Sequence, residues 1–220
     1  MKSVVVLLLS LFTHSIGTAQ INKFSVTLNP FSFLEPDAGF TPGVGYVINK
    51  RFAAFTDVGL IFNSPILFNV QVATNSTRGI KFKPAIRYYL EKHRTQKDYF
   101  VELEGLAKLV KYNTSDEIDV VDNNGSPAFT YIGGYNIKKS VLGISAKFGY
   151  RELFGRSKKL GYDIFIGLGI RNKKITTSGL PSGVQPENDL FAADQETPNF
   201  HWTQGTAISF PAGLKIYYIL

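Results

Sequence analysis

Apolar and polar positions alternate with a period of two along most of this chain. That is the period of a strand, whose successive side chains point to opposite faces. Residues 80–90 show it most clearly: Ile80, Phe82, Pro84, Ile86, Tyr88 and Leu90 share one face, and Lys81, Lys83, Ala85, Arg87 and Tyr89 the other. Residues 99–109 set Tyr99, Val101, Leu103, Ala107 and Leu109 against Glu102, Glu104 and Lys108. Residues 142–150 set Leu142, Ile144, Ala146, Phe148 and Tyr150 against Ser145 and Lys147. Residues 162–170 set Tyr162, Ile164, Ile166, Leu168 and Ile170 against Asp163, Phe165, Gly167, Gly169 and the following Arg171. Residues 210–220 set Phe210, Ala212, Leu214, Ile216, Tyr218 and Leu220 against Gly213, Lys215 and Tyr217. Shorter alternating runs lie around Val26, Tyr46 and Val58, the last with Asp57 on its polar face. No segment repeats with a helical period. The pattern predicts an all-β chain of about eight strands, each near the ~9–11 residues that cross a bilayer when tilted.

The connections supply a second, independent pattern. The gaps 30–41, 62–79, 112–139 and 172–204 are long, and those between them, 49–51, 91–98 and 151–160, are short. Strict alternation of long and short connections is expected of an up-and-down transmembrane barrel, with long loops at one rim and tight turns at the other. The short turns are rich in Lys and Arg, while the two longest loops are rich in Asp and Glu. This division alone is ordinary solvated surface.

Together these features predict one closed antiparallel up-and-down transmembrane β-barrel. In hydrocarbon every backbone N–H and C=O needs a partner, so a sheet there must close on itself. The apolar face must then look out at lipid, and the charged face must look into a narrow lumen filled by side chains. The expected lumen network contains Asp57, Lys81, Lys83, Arg87, Glu102, Glu104, Lys108, Lys147, Asp163, Arg171 and Lys215. Arg87 lies across a hairpin from Glu102 and Glu104, so an ion pair is predicted there. Inward Gly45, Gly59, Gly167, Gly169 and Gly213 leave room for long side chains or let strands bend. Tyr88, Tyr89, Tyr99, Phe100, Phe148, Tyr150, Tyr162, Trp202, Tyr217 and Tyr218 gather near strand ends and are expected to form interfacial girdles.

Composition then bounds the compartment. Lys2, the apolar run 4–12 and the small residues Gly17, Thr18 and Ala19 have the three-part form of a secretory signal, so residues 1–20 are expected to be removed and residues 21–220 to form the barrel domain. The run is too short to span a bilayer as a helix. The formal charge of +7 would invite a nucleic-acid partner. The cations are dispersed along strands rather than gathered in a patch, so none is expected. The chain has no cysteine, and a closed hydrogen-bonded barrel needs no disulfide staple.

The last strand, Phe210-Pro-Ala-Gly-Leu-Lys-Ile-Tyr-Tyr-Ile-Leu220, resembles the terminal strand read by the outer-membrane assembly machinery, with Leu214, Ile216, Tyr218 and Leu220 as its alternate apolar positions. That family commonly ends in an aromatic residue, and this chain ends in Leu220. With residues 82–90, the chain looks like the outer-membrane β-barrel domains of Gram-negative bacteria, particularly Bacteroidota-type members, and is similar in architecture to OmpX and the OmpA barrel. The resemblance implies an outer-membrane location, with outer-membrane lipids and the assembly machinery as partners and the loops as a site for an extracellular ligand. It implies no activity.

Chemistry-bearing motifs are sparse. Cys/His metal clusters are absent from the sequence, whose histidines are His14, His93 and His201. His93 is expected in a solvated turn. His201, in Phe200-His201-Trp202, reads as part of an interfacial cluster; as the general base of a lipid-A-modifying enzyme it would need a serine such as Ser209 within reach. Asp119-Val-Val-Asp122-Asn-Asn-Gly125 lacks the closing acid of an EF-hand and reads as a turn at Asn124-Gly125. No cofactor and no enzyme activity are expected. The leading expectation is a structural or surface-binding barrel with a plugged polar lumen. The alternatives are a narrow pore, a lipid-A-modifying barrel enzyme, and a soluble barrel that binds an apolar ligand inside. The last requires the faces to be reversed.

Overall fold

A computed structural model describes residues 24–33, 37, 39–62, 74–90, 97–121, 127–179 and 204–220. Apart from a 3-10 turn at Pro30–Phe33, its regular elements are all strands: β1 (Phe24–Leu28), β2 (Gly39–Phe40), β3 (Pro42–Val47), β4 (Phe52–Phe62), β5 (Thr74–Tyr89), β6 (Lys97–Val121), β7 (Pro127–Phe154), β8 (Leu160–Ser178), β9 (Gly205–Ser209) and β10 (Ala212–Ile219). Every pairing is antiparallel. The sheet runs from β1 through β3 to β8 between sequence neighbours and returns through β10 to β1. The ring is therefore closed. Ser25 faces Ile219 and Leu28 faces Ile216 at the seam, and Leu220 donates its N–H to the Phe24 carbonyl at 3.0 Å.

The ten strand segments make eight staves. β2 runs along β4 in the same register as β3, and β9 runs along β8 in the same register as β10. A proline stands at each interruption: Pro42 opens β3 just after the break, and Pro211 lies between β9 and β10, and neither has an N–H to give to a ladder. The continuous alternation of residues 210–220 predicts a single strand there. Pro211 splits that stave, and its pairing with β8 resumes at Ala212–Ile166. Pro84 sits inside β5, where it faces Gly105 of β6, a residue with no side chain to crowd the ring.

The hairpins at the long-loop rim differ from the sequence expectation. The gap 112–139 is paired strand for most of its length: β6 and β7 stay in register from Lys97–Glu152 to Val120–Phe129, and the pairing shifts by one at Val121–Pro127. β8 likewise continues to Ser178, and β5 begins at Thr74. Apolar alternation marks only the part of a strand that has a greasy face. Above that band the outward positions turn polar, as at Lys111, Asn113, Asn136, Lys138 and Lys174, so the pattern vanishes while the backbone ladder continues unannounced. Residues 30–41 are not an outer loop throughout. Asn29 closes the entry by accepting the Phe31 N–H, Ser32 donates to the Gly39 carbonyl at 2.5 Å, and Ser32 and Asp37 are buried inside the barrel.

The two faces of the wall are unlike. Ile86, Leu103 and Ile166 are 57%, 54% and 65% exposed, while Arg87 and Glu102 are 0% and 1% exposed. Apolar residues look outward on every stave, and the interior holds ionic and aromatic side chains. This is the reverse of a water-soluble barrel with an apolar core.

Candidate functional site

Alternation places Arg87, Glu102, Lys147 and Asp163 on inward positions of four consecutive staves, β5 to β8. They meet in the half of the lumen nearer the short turns. Arg87 donates from Nε and Nη2 to Glu102 Oε2 at 2.8 and 2.6 Å, and from Nη1 to Asp163 Oδ2 at 2.5 Å. Its guanidinium lies against the Phe100 ring at 3.6 Å and the Phe55 ring at 4.4 Å from the centroids. Arg151 donates to both oxygens of Asp163 at 2.7 and 2.9 Å and to the Tyr89 hydroxyl at 2.5 Å. Lys147 bridges Glu104 and Glu102. Lys215 pairs with Asp57 at 2.7 Å, and Asp57 also accepts from the Thr27 hydroxyl at 3.1 Å. Four cations, Arg87, Lys147, Arg151 and Lys215, thus face four carboxylates, Asp57, Glu102, Glu104 and Asp163. The ionic layer is internally neutral, as a buried charge cluster must be to offset its desolvation.

Small residues make room for this layer. A methyl group at Gly59 would collide with the Lys81 stem, and one at Gly149 with the Phe100 ring. Gly213 leaves a Cβ position 2.8 Å from Phe165. The interior glycines therefore accommodate rings as well as charged chains.

The other half of the lumen is built differently. Lys81, Lys83, Lys108, Lys139, Arg171 and Lys173 line a cavity of about 880 Å³ there. Asp37 is held among them: Lys108 and Lys139 donate to its Oδ2 at 2.6 and 3.0 Å, and Tyr112 donates to its Oδ1. Lys83, Lys108 and Arg171 are only half-buried. They line this cavity.

Several inward residues escape a reading limited to the apolar alternation. Arg151 and Asp98 are assigned by sequence to short turns, yet both are buried in strand positions. The signal was parity: Arg151 continues the inward series of Lys147 and Gly149, and Lys139 and Val141 extend it the other way. Lys173 likewise follows Arg171. Asp37 has no such signal, because the segment carrying it is not a strand.

Aromatic side chains divide in the same way. Tyr88, Tyr99, Phe148, Tyr150, Tyr162 and Tyr218 are outward or half-buried near the short-turn rim. Tyr99 stacks on Phe148 at 5.9 Å, and Tyr88 packs on Phe52 at 5.1 Å and accepts from Arg51. Tyr89, Phe100 and Tyr217, expected in the girdle, point inward instead and surround the two arginines. Each has the strand parity of the charged face, and ring and guanidinium attract. At the terminal strand, Ile216, Tyr218 and Leu220 face out and Leu214 is half-buried. His93, His201, Trp202 and the Asp122–Gly125 part of the acidic turn lie outside the described residues, and Asp119 is on β6.

No protein-family model matches the chain, and no curated protein matches it. Among solved structures, the chain is similar to the crystal structure of Acinetobacter baumannii CarO, with 10% identity and a TM-score of 0.39, covering 92% of this chain and 100% of that one.

Proposed function

We propose that this protein is an outer-membrane β-barrel of structural or surface-binding type, exported by a cleaved leader, residues 1–20, and closed to free passage by its own lumen side chains. The observation that supports it most directly is the orientation of the wall: a continuous apolar exterior around an ionic interior. Exposed apolar surface on this scale is costly in water and favourable in hydrocarbon. Tyrosines and basic residues at the short-turn rim, such as Arg51 on Tyr88 and Lys159 over Tyr218, suit a membrane interface. In this reading the resemblance to Bacteroidota-type and OmpX-like barrels extends to location, and the terminal strand ending at Leu220 is the element offered to the assembly machinery. No catalytic role is assigned. Cell fractionation with a gel of unboiled and boiled samples tests the reading. The expected protein stays with the outer-membrane pellet and migrates faster unboiled; a species found in the soluble periplasm, with no heat-dependent shift, would overturn it.

The alternative of an open pore is disfavoured by the neutral layer of Arg87, Arg151, Asp163 and Glu102, which crosses the interior from stave to stave. In planar bilayers the purified barrel is expected to give no steady, large openings. Regular conductance steps would overturn the plugged reading while leaving the membrane location standing.

A further inference from the structure

We propose that the long-loop half of the lumen is a binding chamber for a phosphate-class oxyanion, presented by a lipid headgroup or by a free phosphate compound. The chamber has the size for one, about 880 Å³, and its floor is closed by the neutral ionic layer. Eight cations line it, the six named above with Lys147 and Lys215, against two carboxylates among the described residues, Asp37 and Glu104. Like charges confined between protein walls raise one another's energy, and a dense anion relieves that repulsion.

The structure already shows the chamber binding an oxyanion, its own. The Asp37 carboxylate takes two ammonium donors and a phenol, with Lys108 and Lys139 at 2.6 and 3.0 Å on one oxygen and Tyr112 on the other. Arg171 lines the same cavity, and its Nε has no hydrogen-bond partner. A guanidinium with a donor to spare is well shaped for phosphate. One flank of the cavity is apolar: Ile208 and Phe210 are 65% and 76% exposed where the wall passes from β9 to β10. Among the described residues β9 pairs with β8 alone. That flank gives an acyl-bearing anion a route from the side, whereas a soluble anion would enter from the rim. The inference needs only the folded barrel with its charged lumen, and it holds whichever compartment the barrel occupies.

The test uses the full barrel domain refolded in non-ionic detergent micelles, with folding of each variant verified by the unboiled gel shift. Calorimetric titration with pyrophosphate, and separately with short-chain phosphatidic acid against phosphatidylcholine, reads the affinity. Saturable binding of pyrophosphate, phosphatidic acid or both is expected, with none for phosphatidylcholine. Preference between the two anions identifies the source. Arg171→Gln and Lys139→Gln are expected to weaken binding about tenfold, the worth of one charge-assisted hydrogen bond. Asp37→Asn is expected to tighten it several-fold, because it removes the competing carboxylate. If Lys139→Gln does not fold, Lys83→Gln at the half-buried wall gives the same readout. Absence of saturable binding to either anion, or affinities unchanged across folded variants, overturns the proposal.

Discussion

Arg87 makes three ion-pairing hydrogen bonds with no exposed surface, and two aromatic rings lie against its guanidinium. Glu102 and Asp163 share it with Lys147 and Arg151, so the four-against-four balance of the layer depends on it. Replacing it by Leu leaves four carboxylates against three cations in the buried layer, and removal of one partner from a buried network costs about 3–5 kcal/mol. Arg87→Leu is accordingly expected to lower the urea midpoint of the folded, fast-migrating band sharply. Lys97 offers the control. It pairs with Glu152 at 3.6 Å, but its side chain is 64% exposed. A solvated pair contributes at most about 1 kcal/mol, so Lys97→Ala is expected to leave the midpoint almost unchanged. Similar losses for the two variants would show that the interior layer is not a stabilising unit. Arg151 presents the same chemistry two staves further round, on β7, and Asp163 binds both arginines. That shared carboxylate couples the two sites, so their effects should not add.

At the scale of the strand, the ladder and the apolar pattern are separate things. β6 and β7 are 25 and 28 residues long, far more than a bilayer requires. Only their lower parts carry the outward series Tyr99, Val101, Leu103 and Ile144, Ala146, Phe148. The hairpin therefore projects past the apolar band at the long-loop rim. Prolines punctuate the staves in a way the ladder tolerates: at breaks for Pro42 and Pro211, and opposite a glycine for Pro84. The outward face can be tested on β8. Ile166 is 65% exposed, and an exposed strand position in water accepts Lys almost freely. In hydrocarbon the same change costs about 2–4 kcal/mol at the midplane. Unfolding of Ile166→Lys from lipid vesicles is expected to show that loss; a change of a few tenths would place the face in water.

Over the whole molecule, closure is carried by a short seam. β1 contributes four paired positions to β10, Ser25 to Leu28, with one further bond from Leu220 to Phe24. Opening the seam would expose two strand edges along the wall and uncover the ionic layer beneath. Deleting residues 216–220 is thus expected to abolish the heat-modifiable folded band rather than merely shift its midpoint, because the ring has no other way to close. A truncated chain that still migrates as a compact band would mean that closure does not depend on this pairing. Inside the wall the molecule has two unlike chambers in series: a neutral layer that fills the lumen, and a cationic cavity above it into which the chain folds back Asp37.

How much of this was written in the chain follows from what a strand can encode. Period-two alternation assigns a face to every residue, so the sequence by itself determined the all-β class, the roughly eight staves, and the shared face of Arg87, Glu102, Asp163 and Lys215. Parity extended past the apolar band would also have found Arg151, Lys139 and Lys173. It could not say which inward charges touch, because Arg87 meets Asp163 across 76 positions of sequence, and register and stagger around the ring decide that distance. Nor could it place Asp37, which lies outside the strands and is held by cations from two of them, Lys108 on β6 and Lys139 on β7. Faces are local properties of a backbone. Neighbours across a lumen exist only once the sheet has closed.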